Sequence, residues 1–448
     1  MLGTSNQGSV ALPGHWIGVE ACWQLKTDDP FELLVEMPPY CLQTHAYLLG
    51  ATGSGKTTLL HHLIAQDIDQ GHSFCIVDMR GDLVAAALEL AADHIDPKLV
   101  RILDLREQFH ICGFNPLYGS GEPYFRALNV LDIIACESES WGVRLADTLK
   151  NALLLLAEAG EPLTRLEHLF FDRAFRDECL ARSVSEPLIA YWQRVDASPD
   201  RISVLADPVL NKLSLLLATP TLRKILGHPA PFDLGQHLNT KGSITLVSLA
   251  VDELHAAGRM FGSLMVSAMC REIFARIPIP ESQRNPVRLY LDEFEHLASH
   301  HLCESILAEG RKVKLHAVLA HQTLAQLTPK MRSLILGNVG VKAVFRCGRE
   351  DGAVLSRDFF GNPKGYDFAD LPVGYCVLWK KNEGCVEVEV NAPLLKNPGE
   401  LSADARRFVS AVYSASESSR VGPSKSQPTA LLGASSVGQF RSTLEEWL

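Results

Sequence analysis

One octapeptide restricts this chain more than any other feature. Residues 50–57 read Gly-Ala-Thr-Gly-Ser-Gly-Lys-Thr and satisfy GxxxxGK[ST] in full. Glycines at that spacing let the backbone turn so that successive N–H groups face one point, where a following helix adds its dipole. The pattern has this meaning only between a buried strand and an amphipathic helix, and both flanks are present. Ala46, Tyr47, Leu48 and Leu49 precede it; Leu59, Leu60, Leu63, Ile64 and Ile68 follow on one helical face, with Gly71 placed to stop the helix. The expected chemistry is a phosphate cradle made of Gly50, Thr52, Gly53, Ser54, Gly55, Lys56, Thr57 and Thr58. In it Lys56 reaches the β- and γ-phosphates and the Thr57 hydroxyl is a magnesium ligand.

Beyond the loop, strand and helix patterns alternate: a strand over 74–79, a helix over 83–92 and a strand over 99–105. Such alternation implies parallel pairing and an α/β core. From about Phe125 to Leu226 nearly everything has helical period. Leu145, Leu149, Leu153 and Leu156 recur at helical spacing and end at Gly160, and Thr164 with Glu167 forms a capping-box pattern ahead of the next apolar run. Strand signals return at 243–250, 287–291, 313–320 and 341–346, and 374–379 with 385–390 predict a closing β-hairpin. The expected organisation is therefore an N-terminal extension (1–44) holding a strand or two within 16–37, a first core part (45–124), an inserted all-α subdomain (125–235), a second core part (236–398) and a C-terminal segment (399–448). The last of these turns Ser-rich beyond about Val412 and reads as a disordered tail.

Composition removes several alternatives. Across 448 residues no window holds the ~18 consecutive apolar residues of a membrane span, and the first thirty residues lack a basic start followed by an apolar run. Eleven cysteines are scattered irregularly from Cys22 to Cys385 without a CxxC pair, which fits reduced thiols in a cytoplasmic setting. A formal net charge of -10 means that any nucleic-acid contact has to come from local basic patches. Sixteen histidines offer no HExxH spacing, and no GxSxG elbow supports a serine hydrolase.

A phosphate loop needs an acidic partner at the end of a neighbouring buried strand. The run Val-Arg-Leu-Tyr-Leu from 287 leads into Asp292 and Glu293. Asp292 is placed to hold magnesium and Glu293 to polarise an attacking water. The next strand ends in His321 and Gln322; a Gln there can bond the lytic water or a γ-phosphate, or merely cap a strand. Just before that strand come Glu309, Gly310, Arg311 and Lys312. Arg311 can project from a subunit edge to stabilise phosphoryl charge in a neighbour, or simply favour a helix C-terminus.

Five segments then occur in one order: 50–58, 291–294 (Leu-Asp-Glu-Phe), 306–312 (Ile-Leu-Ala-Glu-Gly-Arg-Lys), 319–322 (Leu-Ala-His-Gln) with Leu327, and 338–346 (Asn-Val-Gly-Val-Lys-Ala-Val-Phe-Arg). Together they resemble the HerA/FtsK superfamily of ring-forming motor ATPases, most closely the TraD/TraG-type conjugative coupling proteins and HerA-like translocases. Phe114 to Leu117 (Phe-Asn-Pro-Leu) and Asp78 to Asp82 (Asp-Met-Arg-Gly-Asp) are similar to segments of the same group. The resemblance covers roughly Gly18 to Val390. It implies a RecA-like P-loop NTPase fold with a mostly parallel sheet, ATP and Mg2+ as cofactors, hexameric assembly and DNA as cargo. It also implies that Arg311 is an arginine finger supplied in trans, that Gln322 is the polar sensor, and that Arg346 is a second interface arginine. Relatives often carry His or Lys after a proline where Arg80 stands; here Met79 replaces that proline, so Arg80 is given no role. The chain departs from coupling proteins in showing no membrane helices, and from HerA proteins in having about forty residues before the first core strand, too few for a full β-barrel.

The expectation is thus an ATP-hydrolysing ring that moves DNA through its pore. It would be cytoplasmic, peripheral to the inner membrane through partners, and served by a secretion-system, relaxosome or nuclease partner. Two alternatives remain at this point: a type IV secretion ATPase acting on protein, and a nucleotide-gated scaffold for a nuclease or other effector.

Overall fold

The computed structural model describes residues 15–20, 34–37, 44–138, 140–217, 219–297, 300–390, 393–395 and 400–418. Its strands are β1 (His15–Glu20), β2 (Leu34–Met37), β3 (Ala46–Leu49), β4 (Ser73–Asp78), β5 (Val100–Asp104), β6 (Ile244–Ser248), β7 (Val287–Asp292), β8 (Leu315–His321), β9 (Val341–Phe345), β10 (Tyr375–Lys380) and β11 (Gly384–Val390). They form one sheet in the order β2-β1-β11-β10-β9-β3-β8-β7-β4-β6-β5. From β9 to β5 every neighbour is parallel, whereas β10, β11, β1 and β2 continue the sheet antiparallel.

β3, β4, β6, β8 and β9 are buried at every position. Parallel strands covered on both faces need unbroken apolar runs rather than alternation, which is why they read as short apolar blocks. One face packs on the helices Lys56–Asp69 and Asp82–Ala91 through Leu59, Leu63, Ile64, Leu83 and Leu88. On that face also sits the helix Ala403–Ser418, where Phe408, Val412 and Tyr413 join the core. Here the sequence reading needs correction. The expected tail from about Val412 is preceded by six more helical residues, because Ala405, Phe408 and Val412 recur at helical spacing and Val412 is 0% exposed. Residues 419–448, the rest of the expected Ser-rich tail, lie outside the described residues.

The other face carries the helices between β5 and β6. Among the described residues that stretch holds no strand, and its helices include Pro123–Cys136, Val143–Ala159, Glu186–Asp196 and Ile202–Leu217. Leu149, Leu153, Leu156, Trp192 and Leu213 are fully enclosed and share one apolar cluster with Tyr47, Leu49 and Val77 of the sheet. The helical insertion therefore has no core of its own; it seals the sheet face through Pro123–Cys136 and the helix Ala256–Phe274. Gly160 closes Val143–Ala159 at φ 72, a left-handed C-cap. Thr164 does not open a capping box. Pro162 tightens the chain into a 3-10 turn over Leu163–Arg165, so Arg165 precedes the next helix without a side-chain cap, and Thr164 packs against Gly227 instead. No single helix among the described residues is long and apolar enough to cross a membrane.

Candidate nucleotide site

The loop after β3 is tied to its neighbours at both margins. Gly50 N–H donates to the His321 carbonyl at 3.3 Å, and Ala51 N–H to the Arg346 carbonyl at 2.9 Å. At the far side the Gly374 N–H donates to the Ser54 carbonyl at 2.9 Å. Gly53 and Gly55 take φ of 73 and 113, which side-chain-bearing residues avoid. A Cβ on Gly55 would also come within 3.1–3.2 Å of Gly374 and Phe345. The helix Lys56–Asp69 begins with no side-chain cap and no acidic residue in its first turn. Ser54 Oγ is buried without a hydrogen-bond partner among the described residues. Uncapped first-turn N–H groups, an orphaned hydroxyl and an ammonium group together suit the phosphates of a nucleotide.

Strand order brings the other expected residues to this loop. β8 lies between β3 and β7, with Leu49 opposite His321 and Asp292 opposite Ala320. The three strand ends therefore open side by side. Lys56 Nζ contacts Asp292 Oδ1 at 2.9 Å, their side chains 9% and 23% exposed. Glu293 adopts the left-handed conformation at φ 55 and turns the chain into the 3-10 segment Phe294–His296. Such a φ is uncommon outside glycine, and it holds the Glu293 carboxylate at the strand end. Gln322 Nε2 donates to Glu293 Oε1 at 2.9 Å, and the Thr52 hydroxyl donates to Gln322 Oε1 at 3.2 Å. Thr57 is exposed at the head of the helix and Thr58 is half-buried beside it.

Beneath these groups lies a polar layer that sequence reasoning missed. Tyr47 Oη and His321 Nδ1 are hydrogen-bonded at 3.2 Å, with Phe294 packed edge-on to the imidazole. Burial, aided by the Lys56 charge, pushes His321 down to about 3, so it is neutral at any working pH. Glu295, two residues beyond Glu293, has a side chain only 6% exposed. Burial, reinforced by the charges of Glu293 and Asp292 and opposed by Lys56, raises it to about 7. Nothing in the alternation of Leu-Asp-Glu-Phe-Glu distinguishes this inward carboxyl from a solvated one. Asp78, at the end of β4, accepts from the N–H groups of Arg80, Leu83 and Val84 at 3.1, 2.7 and 3.3 Å. It thereby caps the helix Asp82–Ala91. Burial raises its pKa against those bonds, and Asp292 adds to the rise.

The two arginines sit differently. Arg311 lies exposed in the 3-10 turn Gly310–Val313, at the start of β8. Seven strand residues, ~20 Å, separate that edge from the chain's own loop. Arg346 follows β9, and its carbonyl supports the loop of the same chain. No cluster of three or more His, Cys, Asp or Glu residues that could hold a metal occurs among the described residues. Cys75, inside β4, is core, with burial pushing its thiol up to about 12.

A parallel sheet in which one strand separates the phosphate-loop strand from the acidic strand, with an antiparallel hairpin at its end, is the fold of a P-loop NTPase. Comparisons with known proteins narrow this. Residues 34–95 match the family of type IV secretion-system coupling protein DNA-binding domains, and residues 286–356 match the TraM recognition site of TraD and TraG. Among solved structures, the plasmid coupling protein TrwB in complex with ADP and Mg2+ is similar at 18% identity and TM-score 0.61, covering 88% of this chain and 99% of that one. The unbound bacterial conjugative coupling protein TrwBdeltaN70 aligns at 19% identity and TM-score 0.60, over 81% and 88% of the two chains. VirB4 of Thermoanaerobacter pseudethanolicus aligns at 12% identity and TM-score 0.58, over 87% and 98%. No curated protein matches the sequence. The resemblance to TraD/TraG-type coupling proteins, drawn above from motif order, is borne out.

Proposed function

We propose that this chain is a magnesium-dependent ATPase that assembles as a hexameric ring and moves DNA through the central pore, as a conjugative coupling protein would. The observation that carries the reading is the meeting of Lys56, Asp292, Glu293, Gln322 and Thr52 at the ends of three adjacent strands. Thr57 and Asp292 are the groups to hold magnesium, which, when bound, neutralises charge on the phosphoryl oxygens. Lys56 would exchange its contact with Asp292 for the β- and γ-phosphates. Glu293 takes a proton from the attacking water, and Gln322, already bonded to it, keeps that carboxylate facing the same point. Arg311 of a neighbouring subunit would stabilise the developing charge, a contribution of ~10³-fold or more in rate. Arg346 is the weaker interface candidate, because its backbone already serves its own loop.

DNA as cargo is supported by the coupling-protein match over 34–95, and a relaxosome protein as partner by the TraM-recognition match over 286–356. The setting would be the cytoplasm, at the inner membrane through partners. A second reading, an ATPase acting on protein in type IV secretion, is favoured by the VirB4 likeness together with the net charge of -10. Steady-state ATP hydrolysis, alone and with single- or double-stranded DNA and with Glu293→Gln as blank, separates the two. Strong stimulation by either DNA is the expected result. Hydrolysis indifferent to both DNAs would shift the assignment to protein substrates.

A further inference from the structure

Gln322 is hydrogen-bonded both to the phosphate loop and to the water-activating carboxylate, and its carboxamide has two unlike ends. Among the described residues its side chain makes two hydrogen bonds: Nε2 to Glu293 Oε1 at 2.9 Å, and Oε1 from the Thr52 hydroxyl at 3.2 Å. An ionised carboxylate only accepts, so Glu293 fixes which end of Gln322 faces it. The other end is then an acceptor, and Thr52 has to donate. Turned by half a rotation about its last torsion, a soft and roughly two-fold one, the amide would set its oxygen against the Glu293 carboxylate. The carboxylate itself opposes that turn, and the hydroxyl at the crest of the loop tethers the outer end of the amide, so that the side chain is held from both ends. Thr52 itself is exposed.

We propose that Thr52 is a positioning residue for hydrolysis: through Gln322 it holds the Glu293 carboxylate in place and ties the crest of the phosphate loop to the group that activates water. This rests on the hydrolytic reading of the site given above.

The test compares Thr52→Val, which keeps the shape and removes the donor, with Thr52→Ser, which keeps the donor, in the full chain assembled with DNA. Losing one such bond should lower kcat about tenfold, the equivalent of ~1.4 kcal/mol. KM and the Kd for a fluorescent ATP analogue should stay within about twofold, because the backbone cradle is untouched. Thr52→Ser should recover most of kcat. In a Gln322→Ala background, Thr52→Val should cost nothing further. A wild-type kcat in Thr52→Val, a loss that adds in full to that of Gln322→Ala, or a Kd that weakens in step with kcat would each overturn the proposal. Crystal structures of wild type and Thr52→Val decide it independently of turnover. The Gln322 bond to Glu293 should be present in the first and lost in the second; its persistence in Thr52→Val sinks the positioning role. A wild-type protein that hydrolyses no nucleotide refutes the ATPase reading alone, and the paired structures still decide this one.

Discussion

Lys56 and Asp292 are bonded to each other, 236 residues apart in sequence, at 2.9 Å across the phosphate loop. Each is also the group expected to serve the nucleotide, the first on its phosphates and the second on its metal. Their pairing means that loading the site trades one ion pair for two. Neutralising the acid should therefore have opposite effects with and without metal. Asp292→Asn should bind ATP several-fold tighter than wild type in chelator, about 1 kcal/mol for a partly exposed pair. It should gain little from added magnesium. Calorimetric titration with ATP in both media checks the crossover, and an unchanged magnesium dependence would remove Asp292 from the metal site.

Lys56→Ala removes the ammonium and leaves the backbone cradle. A charge-assisted bond is worth ~1.5–3 kcal/mol, so ATP affinity should fall by roughly ten- to a hundredfold. Equilibrium binding of a fluorescent analogue measures this directly; near-normal affinity would show that Lys56 stays on Asp292 in the loaded protein.

Glu293→Gln is nearly isosteric and keeps the strained φ of 55 in place. Binding should persist while turnover drops by ~10²–10⁴, the range for a lost general base. Single-turnover hydrolysis at saturating ATP is the readout, and retained turnover excludes Glu293 as the base.

Arg311 is exposed at the start of β8, the end of that strand away from its own loop. Neither Arg311→Ala nor Lys56→Ala should hydrolyse ATP alone. Mixed, the two should recover a measurable fraction, because some interfaces then join an intact loop to an intact arginine. Absence of recovery at every mixing ratio argues against a finger supplied in trans.

Glu295 gives the stability a pH dependence with a definite sign. Its carboxyl is held at about 7 in the folded chain, against an ordinary value of 4.5. The folded state keeps this proton where the unfolded chain has lost it. The contribution is therefore most favourable below ~4.5, falls as pH rises towards 7, and is a constant penalty beyond. Glu295→Gln should be more stable than wild type at pH 8 by ~1–2 kcal/mol and lose the advantage near pH 5. Urea denaturation at the two pH values tests it, and a pH-independent difference would mean that the carboxyl is solvated.

The phosphate loop and the acidic pair were legible because each has a local signature, a glycine pattern and an apolar run ending in two carboxylates. The parallel strands were legible as apolar blocks, since burial on both faces leaves no polar positions. What stayed hidden depends on which strands become neighbours. The Thr52–Gln322–Glu293 contact exists only because β8 inserts between β3 and β7. The pairing of β1 with β11, Gly18 opposite Val390, likewise leaves no trace in either segment. Glu295 was missed for the same reason: inward and outward carboxyls look alike until the turn at Glu293 is known. The capping box at Thr164 failed because Pro162 began a tighter turn first.

The loop strand β3 has both of its sheet partners, β8 and β9, more than 260 residues downstream, with Ala46 beside Val318 and Val341. During synthesis the ribosome therefore releases the loop long before anything exists to flank it. Strands β4 and β5 are in the same position, since β6 and β7 also follow the helical insertion. Non-local parallel pairing of this kind is slow and leaves apolar edges open while it waits. A nascent chain stalled before β8 would expose Tyr47, Leu48 and Leu49 without a nucleotide pocket to show for them. Competence to bind nucleotide should thus arise late and abruptly along the growing polypeptide, and holdase chaperones should find their main target in its first hundred residues.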